Sequence, residues 1–235
     1  MAWWLCRNYT YAGPGFDWID QDKVEIPRGL GGSGLSISRS VTEKSVPKSA
    51  RYRAPYAKPP KPDIFFVDSD VAVTARFREL AEKFEPSVHL FAPIELQYYD
   101  GDPIEAEFFY FNANVDIDCI LTENEPEWFR ATRFDGSIRP TLTSIQRLTP
   151  REIYLSRPQI AGHHMWTGGP LGWNQLFVSN EFCAALRKGR FGALEFRREC
   201  HEVDRPWIAE ENMGPLLGAW QNFVDHDRNV EVGYI

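Results

Sequence analysis

Runs of apolar positions between polar and turn residues mark five stretches that read as strands: Ile64–Val67, a short wholly apolar run, His89–Ile94, Glu105–Phe111, Val115–Leu121 and Glu152–Leu155. In Val115–Leu121, the residues Val115, Ile117, Cys119 and Leu121 alternate with Asp116, Asp118 and Ile120, giving one apolar face and one largely acidic face. Helical spacing takes over at Val73, Phe77, Leu80, Ala81 and Phe84, with Arg76, Arg78, Glu79, Glu82 and Lys83 between them. Ser69 or Asp70 is placed to cap that helix, and Pro86 to stop it. A second such unit follows: Leu176–Val178 as strand, Ser179 as cap, Phe182, Ala185 and Leu186 on a short helix, Gly189 or Gly192 as stop, and Ala193–Phe196 as strand. Past Pro215, the residues Leu216, Leu217, Trp220, Phe223 and Val224 form the stripe of a last helix. The expected fold class is α+β, a mainly antiparallel sheet with two strand, Ser-capped helix, strand units and a C-terminal helix.

The first 62 residues read differently. Trp3–Leu5, Tyr9 and Tyr11 suggest one or two short strands within Met1–Pro27. The run Arg28–Gly34 (RGLGGSG) lacks the Lys-Ser/Thr of a phosphate loop and reads as a mobile loop. Arg39–Pro62 is basic and ends in Pro55, Pro59, Pro60 and Pro62, which predicts an extended linker or strap without a core of its own. The expected division is therefore an N-terminal β/loop extension with a basic Pro-rich strap over 1–62 and an α+β domain over 63–235.

Charge sharpens the contrast. Lys and Arg outnumber acids by 10 to 5 before Asp63, and acids outnumber Lys and Arg by 28 to 16 from there on. Glu95–Glu127 holds ten carboxylates and no Lys, Arg or His, yet it is rich in Tyr and Phe, so it reads as folded structure with an acidic exposed side. Such a surface excludes nucleic acid as the natural partner. No apolar run reaches about 18 residues, so no membrane partner is expected and the protein is placed in the cytoplasm. Cys6, Cys119, Cys183 and Cys200 form no CxxC pair and read as buried free thiols.

The order DIFFVDSD, helix, HLFAPIEL, YYDGDPIEAEFFYFNANVDIDCI and finally HHMWTGGPLGWNQLFVSNEFCAALRKGRFGALEFR resembles the eleventh immunity-protein family of bacterial polymorphic toxin systems, formerly a domain of unknown function. The similarity covers Asp63 to Arg198. It implies a small non-catalytic cytoplasmic protein, without cofactor, that binds and neutralises a cognate toxin. Physical reasoning from the residues then places the toxin-binding surface at Asp100 and Asp102 in a turn, and at Glu123, Glu125 and Glu127 with Trp128 as an aromatic anchor.

Two other readings use the same residues or the same class of partner. Asp116, Asp118 and a His163 or His164 group would supply the ligands of a metal-dependent hydrolase, although no HExxH or Asp-rich calcium loop accompanies them. Adjacent histidines point to opposite sides of an extended chain, which favours a turn-orienting role for one of them. A non-catalytic scaffold subunit of a toxin or secretion complex is the remaining alternative. Oligomeric state is left open.

Overall fold

The computed structural model describes residues 2–7, 15–20, 24, 41–55, 63–68, 70–121, 129–134, 137–142, 153–168, 173–191, 194–209 and 211–212. In chain order its elements are β1 (Ala2–Arg7), β2 (Phe16–Trp18), β3 (Ser49–Tyr52), β4 (Ile64–Val67), β5 (Asp70–Thr74), α1 (Ala75–Phe84), β6 (Leu90–Gln97), β7 (Phe108–Asn112) and β8 (Ile120–Leu121). The second half supplies β9 (Phe129–Phe134), β10 (Ser137–Leu142), β11 (Tyr154–Ser156), α2 (Arg157–Ile160), β12 (Met165–Gly168), β13 (Trp173–Ser179), α3 (Asn180–Lys188) and β14 (Leu194–Val203). The protein is α+β, and its sheets are mixed rather than purely antiparallel.

Six strands close into a small barrel in the order β2-β3-β6-β7-β5-β4. Closure needs two parallel contacts, β3 beside β6 and Phe16 of β2 beside Val67 of β4, among otherwise antiparallel neighbours. The interior is filled by Phe16, Trp18, Val46, Ala50, Tyr52, Ala72, Ile94, Leu96, Phe108 and Tyr110 among others, so the barrel is a packed core and not a channel. Strand β7 is buried along its whole length because both its faces are used. Phe108 and Tyr110 point into the barrel, and Phe109 and Phe111 point out into the layer beyond.

The other sheet runs β12-β13-β1-β14-β11-β8. Its two flanks are joined by one short stretch of chain. Ile117 N–H donates to Thr167 O at 2.9 Å and Thr167 N–H to Val115 O at 2.8 Å on the β12 side, and Ile120 and Leu121 pair with Leu155 and Tyr154 on the β11 side. Laid flat at ~4.8 Å per strand, these two flanks would stand roughly 28 Å apart, whereas three residues of chain reach about 10 Å. The sheet is therefore curled almost shut, around Ala2, Trp4, Cys119, Ile120, Leu155, Trp166, Phe177 and Cys200.

Between barrel and curled sheet lie α1 and α3. Phe77 of α1 is fully buried and meets Phe111, Phe182 and Phe191 edge to face at centroid distances of 5.5, 6.1 and 6.3 Å. Leu5 of β1 and Leu176 and Val178 of β13 close this layer from the sheet side. Edge-to-face geometry is what the ring quadrupoles favour, and it fixes how the two halves stack.

Several sequence expectations need correction. The first helix is not capped by Ser69 or Asp70: Asp70 opens β5, Ser69 lies outside the described residues, and the helix begins after Thr74, whose side chain makes no capping bond. Val71, Val73 and Thr74 are β-branched, and pairing with β4 and β7 holds them in a strand. The second unit follows expectation, with Ser179 Oγ accepting from Phe182 N–H at 3.1 Å. Glu105–Glu107 precede the strand that starts at Phe108, and Val115–Cys119 is the lacing segment with a single bridge at Asp116. The basic strap is partly core, since Ser49–Tyr52 is a barrel strand and Val41, Val46, Ala50 and Tyr52 are buried. Strand pairing crosses position 62 in both sheets, and β1 sits between β13 and β14. The glycine-rich run, the turn Asp135–Gly136 and the stripe from Leu216 to Val224 fall outside the described residues.

Candidate partner-binding face

One end of the barrel gathers the exposed carboxylates. Strand β6 rises to Gln97 and the chain turns over Tyr98–Asp102, with Tyr98 N–H donating to Asp102 O at 2.8 Å and Gly101 N–H to Tyr98 O at 3.1 Å. Gly101 has φ +98°, a left-handed conformation that any side chain would strain. Asp102 N–H donates to Asp100 Oδ1 at 3.2 Å, an Asx turn that fixes the tip. The returning arm is anchored by Ile104, whose N–H donates to Leu96 O at 2.8 Å and whose side chain is buried in the barrel core. Asp100 and Asp102 are exposed, and Tyr99 between β6 and the tip is 52% exposed.

The register puts further carboxylates at the same end. Glu105 and Glu107 lie exposed between Ile104 and β7, and Glu107 O accepts from Ala75 N–H at 3.3 Å where α1 begins. Asp63 Oδ1 accepts the Thr74 hydroxyl at 3.1 Å. On the β3 side Arg53 is paired with carboxylates of its own, whereas Arg51 meets a neutral amide and keeps its guanidinium beside Gly101. Arg51 donates to Gln97 Oε1 at 3.1 Å, and Arg53 spans Asp17 and Asp68. The result is an acidic rim with one exposed aromatic, and neither Glu105 nor Glu107 was singled out from sequence because both fell within a predicted strand. Pro103 was the available signal, since it ends the pairing with β6 after one bridge. Glu123, Glu125, Glu127 and Trp128 lie outside the described residues.

His89, His163 and His164 assemble elsewhere, around a buried carboxylate that no sequence pattern singles out. Glu85 ends α1 and is 6% exposed. Its Oε1 accepts from His164 N–H at 2.9 Å; its Oε2 accepts from Met165 N–H at 2.9 Å and meets His89 Nε2 at 2.8 Å. Burial pushes the Glu85 carboxyl up, but the hydrogen bonds from His89 and the two amides outweigh it and hold it below the usual carboxylate range. His164 Nδ1 lies 2.8 Å from Ser179 Oγ, the α3 cap, and its ring packs on Phe84. Asp116 instead accepts the Thr167 hydroxyl at 2.7 Å, and Asp118 is exposed. The hydrolase ligand set is therefore not brought together: His164 and Asp116 face separate partners. Among the described residues no group of three or more His, Cys, Asp or Glu is placed to hold a metal ion.

Cys119, Cys183 and Cys200 are buried thiols outside any disulfide, and burial pushes the Cys119 thiol up to about 12. A protonated, enclosed thiol is no nucleophile. No helix among the described residues is long and apolar enough to cross a membrane.

Comparison with known protein families matches residues 18–200 to a model described as "Immunity protein family (Imm11)". The matched span is more than half of the chain, and it begins well before Asp63, at the last residue of β2, taking in the barrel strand β3. No curated protein matches the sequence.

Proposed function

From the premise that this chain belongs to the immunity protein family Imm11, we propose that it protects a bacterial cell by binding a cognate toxin directly, through the acidic end of its barrel. The observation that carries the reading is the rim of Asp63, Asp100, Asp102, Glu105 and Glu107 with Tyr99 exposed among them. A turn pinned by its own hydrogen bonds presents this surface with little ordering cost on binding. An acidic surface of this kind steers a positively charged cleft, such as one built to bind nucleic acid, into contact and occludes it. The protein acts in this reading without catalysis and in the cytoplasm. Glu123, Glu125, Glu127 and Trp128 extend the proposed surface on sequence grounds.

Co-expression with the toxin tests it. Asp100→Lys, Asp102→Lys, Glu105→Lys and Glu107→Lys together should abolish protection and weaken toxin binding by roughly 100-fold or more, while thermal unfolding stays near that of the unaltered protein. Full protection by the folded quadruple variant would move the interface to another face. Constitutive co-purification with proteins other than a toxin would favour the scaffold reading instead.

A further inference from the structure

Beside the apolar layer that packs the barrel on the curled sheet, one buried carboxylate, Glu85, bridges the two through hydrogen bonds. We propose that Glu85 is an acid-sensitive latch, closed while its carboxylate is ionised, that clamps the start of strand β12 of the curled sheet to the α1–β6 corner of the barrel.

The geometry is specific. Glu85 sits where α1 ends and the chain turns toward β6, and the two amides it accepts from, His164 just before β12 and Met165 at its start, come some 80 residues later in the chain. Those amides face Glu85 and not another strand, so its carboxylate completes their pairing in a site almost closed to water. On the far side His164 O accepts from Ser179 N–H at 2.9 Å, which ties the same corner to β13 and the start of α3. His89 has a side chain wholly removed from solvent; its Nε2 meets Glu85, and its Nδ1 has no hydrogen-bond partner. The Glu85 contact is thus the one that holds the ring.

The charged and titratable neighbours are few. His89 comes from the α1–β6 turn, and His163 lies with Nδ1 3.8 Å from Oε1 at the entry to β12. His164 lies between this site and Glu181 in the first turn of α3, where the two attract. Glu82, one turn back on α1, is engaged by Ser87 N–H at 2.9 Å. An ionised carboxylate serves all three N–H donors at once. Protonated, one oxygen becomes a donor and confronts a donor, leaving a buried N–H unpaired. Since the folded protein holds Glu85 below the ordinary carboxylate range, the latch contributes fully above that range and is lost as pH falls through the folded value.

Hydrogen exchange on the full chain, corrected for intrinsic rates, reads the latch directly. Stepping from neutral pH down through the carboxylate range, the amides of His164 and Met165 should lose protection as Glu85 takes up its proton, while those of Phe109–Phe111 in β7 keep theirs. In Glu85→Gln the same two amides should be exposed already at neutral pH and show no further acid step. In His89→Phe, which removes one donor from the carboxylate, the acid step should move to higher pH. Protection at His164 and Met165 that persists until the whole chain unfolds, or a folded Glu85→Gln variant with unaltered protection there, would overturn the proposal; were that variant to fail to fold, the acid series on the unaltered chain and on His89→Phe decides it.

Discussion

Asp70 and Glu85 are both carboxylates in largely enclosed places, and the fold treats them oppositely. Glu85 meets three N–H donors and is held below the usual range, whereas Asp70 on β5 accepts one hydrogen bond, from Trp18 Nε1 at 2.9 Å. For Asp70 burial wins: its carboxyl is pushed up, against the Trp18 bond that lowers it and with the charge of Asp68 adding to the rise. The folded chain then holds this proton to higher pH than the unfolded chain does, so Asp70 subtracts stability as pH rises through its folded value. Asp70→Asn keeps an acceptor for Trp18 and carries no charge to desolvate. It should match or exceed the unaltered protein in urea unfolding at neutral pH, with the advantage gone in acid. Neither environment was legible in sequence, because the donors come from residues 52 positions before Asp70 and about 80 after Glu85.

Among the elements, the α3 unit was legible because its signal is local. Ser179 caps α3 because its side chain reaches an amide three residues on, which needs nothing from the rest of the chain. Helix α1 starts later than its periodicity suggests because β4 and β7 claim Val71–Thr74 as a strand. Val115–Leu121 carries a good strand pattern and yet is split between two sheet flanks, since it passes from β12 to β11 and satisfies both. A flank left open would offer unpaired donors and acceptors to other chains. Ile117→Pro removes the N–H donated to Thr167 O, and is expected to cost about 1–3 kcal/mol. A lower denaturation midpoint with increased light scattering on standing would bear this out, whereas an unchanged midpoint would show that the lacing adds no stability.

For the whole molecule the deciding feature is where charge lies. The net charge is only -7, but the carboxylates at Asp100, Asp102, Glu105 and Glu107 share one end of the barrel, with Arg51 beside Gly101 and Arg53 drawn off to Asp17 and Asp68. Association with a toxin through that end should slow steeply with salt, by roughly tenfold or more between low and physiological ionic strength, as stopped-flow mixing would show. A rate indifferent to salt would remove the electrostatic part of the proposed function. The sequence by itself determined the class of fold, the α3 unit, the acidic excess after Asp63 and the family, because each is written in local pattern, composition or short motifs. Only the tertiary structure decided that β1 and β3 belong to the core, that Glu105 and Glu107 join Asp100 and Asp102, and that Glu85 meets His89, His164 and Met165. Those facts depend on strand order and register, which are set by contacts between residues far apart in the chain and leave no periodic mark along it.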